Sequence, residues 1–300
     1  MDTLKTREIV RKVRQIELRA NRLVDDTMGS HYRAVFKGRG LDCAEVREYV
    51  RGDAARSIDW NVTARTGRPH VKTFREERER TLVLMIDISA SSHFGSSMQA
   101  KRELAAELGS VLALSANRNH DRFGLILFTD RVELFLPPDR GRRHLRRVIR
   151  EILFFRPRSA GGDASKALDF LNRVFRRRAL AFFISDFCLP GPMEELRRKL
   201  QTTNRRHDLL AVSVNDPREF EMPDVGIITL KDSETGAEAR IDTSDPNLRK
   251  AFAEEAARRW DVMKRRLRAC GIEHLELDTG MPYLPCLMNF LDSRKARRAS

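Results

Sequence analysis

The chain has 300 residues, and 57 Lys and Arg against 43 Asp and Glu give a formal net charge of +14. The length allows one large domain or two small ones with ample chain for a core, and no apolar stretch is long enough to span a membrane as a helix. The basic surplus suits nucleic acid, an anionic membrane surface, an acidic protein partner or simply a solvated surface, and the Arg bias also fits a high-GC bacterial genome. Cys43, Cys188, Cys270 and Cys286 show no C-x-x-C spacing and read as reduced thiols. The start, Met1 to Lys5, lacks the apolar core of a signal peptide, so a cytoplasmic location is expected.

Residues 3–27 predict a helix. Ile9, Val10, Val13, Ile16, Leu18 and Leu23 approximate one stripe, which can pack on the main domain or on a partner. Residues 31–80 differ in character. Gly38, Gly40, Gly52 and Gly67 mark turns and Val71 to Phe74 alternates, which predicts a small β-rich segment with irregular loops. Its many Arg, Asp and Glu residues can pair internally. The glycine turn with Lys37 and Arg39 does not match a P-loop.

At residues 81–87 five apolar residues, Leu82 to Ile86, run without a break into Asp87. This reads as a fully buried parallel strand. Its C-terminal end delivers Asp87, Ser89 and Ser91 to one place, and that edge is where open α/β sheets bind ligands. One carboxylate and two hydroxyls are hard oxygen donors, suited to Mg²⁺, Mn²⁺ or Ca²⁺ rather than zinc. Asp and Ser after a strand also cap the next helix, so the pattern alone leaves both readings open. His93, close by, is either a base or a polar surface residue.

A helix is predicted over 97–117, with Leu104, Leu108, Val111 and Leu112 on one face. Arg122–Phe128 reads as the next buried strand and Val132–Leu136 as its antiparallel edge partner. Helices at 141–154 and 164–177 follow, and the apolar run Ala179–Ile184 ends in Ser185-Asp186, a second carboxylate at a strand end. Beyond lie a helix at 192–204, a strand Leu209–Val214, a hairpin within 218–243, a basic helix 246–269, a strand Ile272–Leu277 and a helix 284–297. The alternation predicts an α/β fold with a doubly wound, mostly parallel sheet, and places Asp87 and Asp186 on the same edge. Residues 1–30 form an N-terminal helix and 31–80 a flanking β-rich segment that hairpin 218–243 is expected to join. Residues 81–216 form the core, and 244–300 complete it.

Several stretches together resemble the DUF58 family: Lys37-Gly38-Arg39-Gly40, Val46-Arg47-Glu48-Tyr49, Gly52-Asp53, Ile58-Asp59-Trp60, Ala64-Arg65, Asp216-Pro217-Arg218-Glu219 and Pro223-Asp224-Val225-Gly226. The resemblance covers nearly the whole chain. It implies a von Willebrand factor A-like, Rossmann-like core and a non-enzymatic adaptor or chaperone-like partner of a MoxR-type AAA+ ATPase and its client. It also implies a divalent-metal site. Asp87, Ser89 and Ser91 match the Asp-x-Ser-x-Ser element and Asp186 the later Asp, but Gly162 stands where a Thr ligand is expected. Asp163 is the adjacent replacement, with Mg²⁺ (or Mn²⁺ or Ca²⁺) as the implied cofactor and water able to fill the missing position. In such a site the open coordination position takes a partner's carboxylate. Ala54 departs from the second Asp usual after Gly-Asp.

Two other functions compete with the adaptor. A metal-dependent phosphoesterase could use Asp87 and Asp186, although Ser89 occupies the place of the second Asp of a D-x-D pair. Nucleic acid could bind the Arg-rich helices at 141–150 and 257–268, although aromatic residues do not interleave with them. No G-x-S-x-G elbow, Cys/His pair or glycine-rich nucleotide fingerprint is present.

Overall fold

The computed structural model describes residues 2–24, 32, 42–50, 53, 57–75, 80–97, 99–188, 193–232 and 236–299. It divides into two units, residues 36–80 and the remainder. The Lys37/Arg39 turn, Gly52 and Ala54 lie outside the described residues.

In chain order the larger unit begins with α1 (Asp2–Leu23). In the smaller unit, β1 (Asp42–Glu48) is followed by α2 (Trp60–Thr66) and by β2 (His70–Arg75), which pairs antiparallel with β1. The helix α2 falls where irregular loops are expected. Asp59 accepts hydrogen bonds from the Asn61 and Val62 amides at 3.0 and 3.3 Å, and Gly67 ends the helix at φ +72°, a conformation that favours glycine. Arg47 holds Asp53 through two bonds of 2.8 and 2.7 Å.

The larger unit continues with β3 (Thr81–Asp87), α3 (Lys101–Arg118), β4 (Arg122–Phe128), β5 (Val132–Asp139), α4 (Gly141–Phe154) and α5 (Ala164–Val174). Then come β6 (Leu180–Ser185), α6 (Met193–Arg206), β7 (Asp208–Asn215), β8 (Ile227–Lys231), β9 (Glu238–Asp242), α7 (Pro246–Ala269), β10 (Glu273–Asp278) and α8 (Tyr283–Ala299). Six strands form one sheet in the order β10-β7-β6-β3-β4-β5, parallel except for the edge strand β5. Counting only these strands, the order is that of a doubly wound sheet, and its direction of winding reverses between β3 and β6. Strands β8 and β9 pair with each other in a separate antiparallel hairpin within the larger unit.

The apolar run Leu82–Ile86 is completely buried because the sheet is covered on both faces. Val83 and Met85 pack with Ala167, Leu168 and Leu171 of α5. Leu84 and Ile86 face α3 and α4, and Gly109 of α3 lies so close that a Cβ there would stand 3.3 Å from both Leu84 and Ile152. Helix α1 packs on the main domain: Val13, Ile16, Ala20 and Val24 are buried, whereas Leu18 is exposed. The buried Glu17 carboxylate of α1 binds Arg142 and Arg146 of α4 at 3.3 and 2.8 Å. No helix among the described residues is long and apolar enough to cross a membrane.

At the sheet end opposite the Asp87 edge, His207 is buried between α6 and β7. Its Nδ1 accepts the Ala179 amide at 3.3 Å, and its Nε2 has no partner. Burial, and then Arg206 and Arg178, push its pKa from 6.5 down to about 4. The unfolded chain therefore takes up a proton at His207 at a higher pH than the folded one does. The stability contributed by the neutral ring is complete above pH 6.5 and is lost as pH falls toward 4. Thermal melts should show Tm falling across that window, and His207→Gln should flatten this part of the fall; an unchanged slope would count against the assignment.

Candidate functional site

The two strands at the winding reversal carry the site. Asp87 is the last residue of β3, and Asp186 follows the last residue of its parallel neighbour β6. Both carboxylates are buried. Asp87 Oδ1 accepts the Ser89 amide at 2.9 Å and Oδ2 accepts the Ser185 hydroxyl at 2.8 Å. Ser89 and Ser91 share a hydroxyl–hydroxyl bond of 3.2 Å, and the Ser91 side chain lies close enough to Asp186 to favour its charged form. Asp87, Ser89, Ser91 and Asp186 are thus brought together. Phe187 turns the chain sharply just beyond, at φ +57°, a left-handed conformation rare for a bulky residue. The turn lets the Cys188 amide donate to Asp186 Oδ1 at 3.0 Å.

Two further residues complete the cluster. Lys101, at the start of α3, reaches Asp186 Oδ2 at 2.7 Å and Glu219 Oε1 at 2.5 Å. Its side chain is only 3% exposed, and that of Asp186 is 5% exposed. Glu219 comes from the short helical turn Pro217–Glu219 after β7, and its other oxygen accepts the Asp216 amide at 2.9 Å. Neither Lys101 nor Glu219 stands out from strand-end motifs. The available signals were a Lys-Arg pair in the first turn of a helix, where cations oppose the macrodipole, and the Glu of the Asp216-Pro217-Arg218-Glu219 stretch.

Electrostatics separate the two aspartates. Burial, and then the charge of Asp186, raise the Asp87 pKa. Burial acts in the same direction on Asp186, but Lys101 outweighs it and holds Asp186 below the ordinary carboxylate range. For Lys101, desolvation is likewise outweighed by Asp186 and Glu219, so the ammonium stays charged.

Asp163 starts the next helix. Its carboxylate caps α5 by accepting the Ser165 amide at 2.8 Å, and its own amide bonds the Thr129 carbonyl at 3.0 Å. Gly162 has no side-chain oxygen to offer. His93 Nε2 lies 3.2 Å from Arg102, whose guanidinium also donates to the Ile152 carbonyl at 2.6 Å and to the Phe155 carbonyl. Burial and Arg102 lower the His93 pKa. Behind the cluster, buried Asp216 gathers three loops. It accepts the Ser96 amide at 2.8 Å, the Ser96 hydroxyl at 2.5 Å, the Thr279 hydroxyl at 2.6 Å and the Arg218 amide at 3.0 Å.

A divalent cation on Asp87, Ser89, Ser91 and Asp186 needs oxygen lone pairs aimed at a common point. Here both Asp87 oxygens accept protein donors, Asp186 Oδ2 holds an ammonium, and Asp163 turns to its helix. Among the described residues no group of three or more His, Cys, Asp or Glu side chains is placed to hold a metal ion. In this arrangement the Lys101 ammonium occupies the Asp186 oxygen that a cation held by Asp87, Ser89, Ser91 and Asp186 would use.

Fold and edge together define a doubly wound α/β protein with an Asp-x-Ser-x-Ser strand end at its switch point. The chain belongs to the DUF58 family: the model described as "Protein of unknown function DUF58" matches residues 45–261. It is 35% identical over 285 residues to the uncharacterized protein Rv1480 of Mycobacterium tuberculosis, covering 94% of this chain and 89% of that one. Among solved structures, the hypothetical protein BatB from Bacteroides thetaiotaomicron superposes with a TM-score of 0.47 at 14% identity, over 72% of this chain and 99% of that one. The SpRpn10 VWA domain superposes at 0.38 and 11% identity, over 72% and 95%.

Asp216→Ala would leave the Ser96 and Thr279 groups without their acceptor and untie the loops after β3 and β10. It should lower stability by about 3 kcal/mol and speed amide exchange at residues 94–97 and 278–281. Exchange unchanged in those loops would contradict the role of Asp216.

Proposed function

We propose that this protein is a non-enzymatic adaptor that binds a protein partner through the loops at the Asp87–Asp186 sheet edge. The observation that carries this reading is the state of the edge. Its carboxylates and hydroxyls are engaged with one another and with Lys101, so no nucleophile stands poised beside a free base. Large apolar side chains stand exposed on the same edge: Phe94 just past Ser91, and Met281 just past β10, 45% and 64% exposed. Asp216 holds their loops together through Ser96 and Thr279. A firm polar floor with exposed apolar side chains around it suits protein recognition.

The family resemblance supplies the partner class, a MoxR-type AAA+ ATPase and its client. The phosphoesterase reading lacks support, since hydrolysis through Asp186 would require it to leave Lys101. The nucleic-acid reading has the Arg-rich helices alone behind it, and Arg142 and Arg146 of α4 share the single Glu17 carboxylate.

With the protein immobilised in native lysate, an AAA+ ATPase should be retained. Phe94→Asp and Met281→Asp should each reduce retention by about tenfold, with Tm unchanged because both side chains are exposed. Undiminished retention in both variants would remove the edge from the interaction.

A further inference from the structure

We infer that the Lys101 ammonium is a resident cation that takes the role of a divalent metal at this edge. The inference stands independently of the partner's identity. Four observations carry it.

First, the ammonium lies on Asp186, the carboxylate that the metal-site pattern requires, at 2.7 Å. Second, Glu219 supplies a further carboxylate to the same ammonium at 2.5 Å, and Glu219 is not part of the metal-site pattern. Third, the pair is buried and its lysine sits in the first turn of an 18-residue helix with no side-chain cap. A cation there opposes the helix macrodipole, so local preference does not explain it. Local rules broken at a buried polar cluster are characteristic of sites under functional constraint. Fourth, the pattern's missing Thr, at Gly162, is a ligand that an ammonium does not need. An ammonium has three donors and a compact charge, whereas Mg²⁺ demands near-octahedral oxygens.

A small cavity beside Lys101 is lined by Asp87, Ser91, Ser185 and Asp186 together with apolar Ile184 and Val214. It therefore presents a site neutralised from within, with no open coordination position for a partner's carboxylate. Binding at this edge would then be independent of divalent metal, and removal of Lys101 would expose the oxygens of Asp186, Glu219 and Ser91 to one.

The test is a thermal melt of the wild type and Lys101→Ala in EDTA and in about 10 mM MgCl₂ or MnCl₂. Equilibrium dialysis of the wild type against Mn²⁺ accompanies it. The wild type should shift by less than about 1 °C and retain no Mn²⁺. Lys101→Ala should melt lower in EDTA and regain several degrees in Mn²⁺, and the regain should vanish when Asp186→Asn is added. Saturable Mn²⁺ binding by the wild type that Asp186→Asn abolishes would overturn the inference, as would a Lys101→Ala protein that Mn²⁺ does not restore. If Lys101→Ala does not fold, the dialysis of the wild type decides.

Discussion

A buried ammonium between two carboxylates organises the functional edge. Desolvating ions costs several kcal/mol each, so Lys101 and Asp186 can stay charged inside the protein only if the cluster's hydrogen bonds are well supplied. They are: Asp186 also takes the Cys188 amide, and Glu219 also takes the Asp216 amide. These donors follow β6 and β7 and Lys101 begins α3, so the ion cluster ties the ends of β6 and β7 to the start of α3. Removing one partner of such a buried pair typically costs about 3–5 kcal/mol, because the other charge is stranded.

This arrangement gives the short motifs a physical meaning. Asp216 and Glu219 of the Asp-Pro-Arg-Glu stretch form a capping box, and the same two side chains then bind Ser96, Thr279 and Lys101. In the smaller unit, Asp59 of Ile-Asp-Trp caps α2 and Arg47 pairs with Asp53. These motif residues hold loops in place, which explains polar residues in positions with no evident chemistry.

The core strands were legible because continuous apolar runs such as Leu82–Ile86 and Ala179–Ile184 have no other stable destination than a sheet covered on both faces. The meeting of Asp87, Ser89, Ser91 and Asp186 followed from topology, since parallel strands bring their C-terminal ends to one edge. Lys101 was not legible. A lysine at a helix start reads as solvated, and only the long-range approach of Glu219 and Asp186 shows its burial. The cap at Asp163 follows a short-range preference, since an Asp before Ala-Ser suits a helix N-cap. Helix α2 is not evident from the sequence, because Gly67, which ends it, reads as a turn signal.

The central claim concerns which cation sits on Asp186, and a crystal structure of the wild type grown in MnCl₂ with anomalous data addresses it directly. The account predicts Lys101 Nζ between Asp186 and Glu219 and no anomalous peak at the Asp-x-Ser-x-Ser edge. A Mn²⁺ peak bound to Asp87, Ser89 and Ser91 or Asp186, with Lys101 turned away, would contradict it.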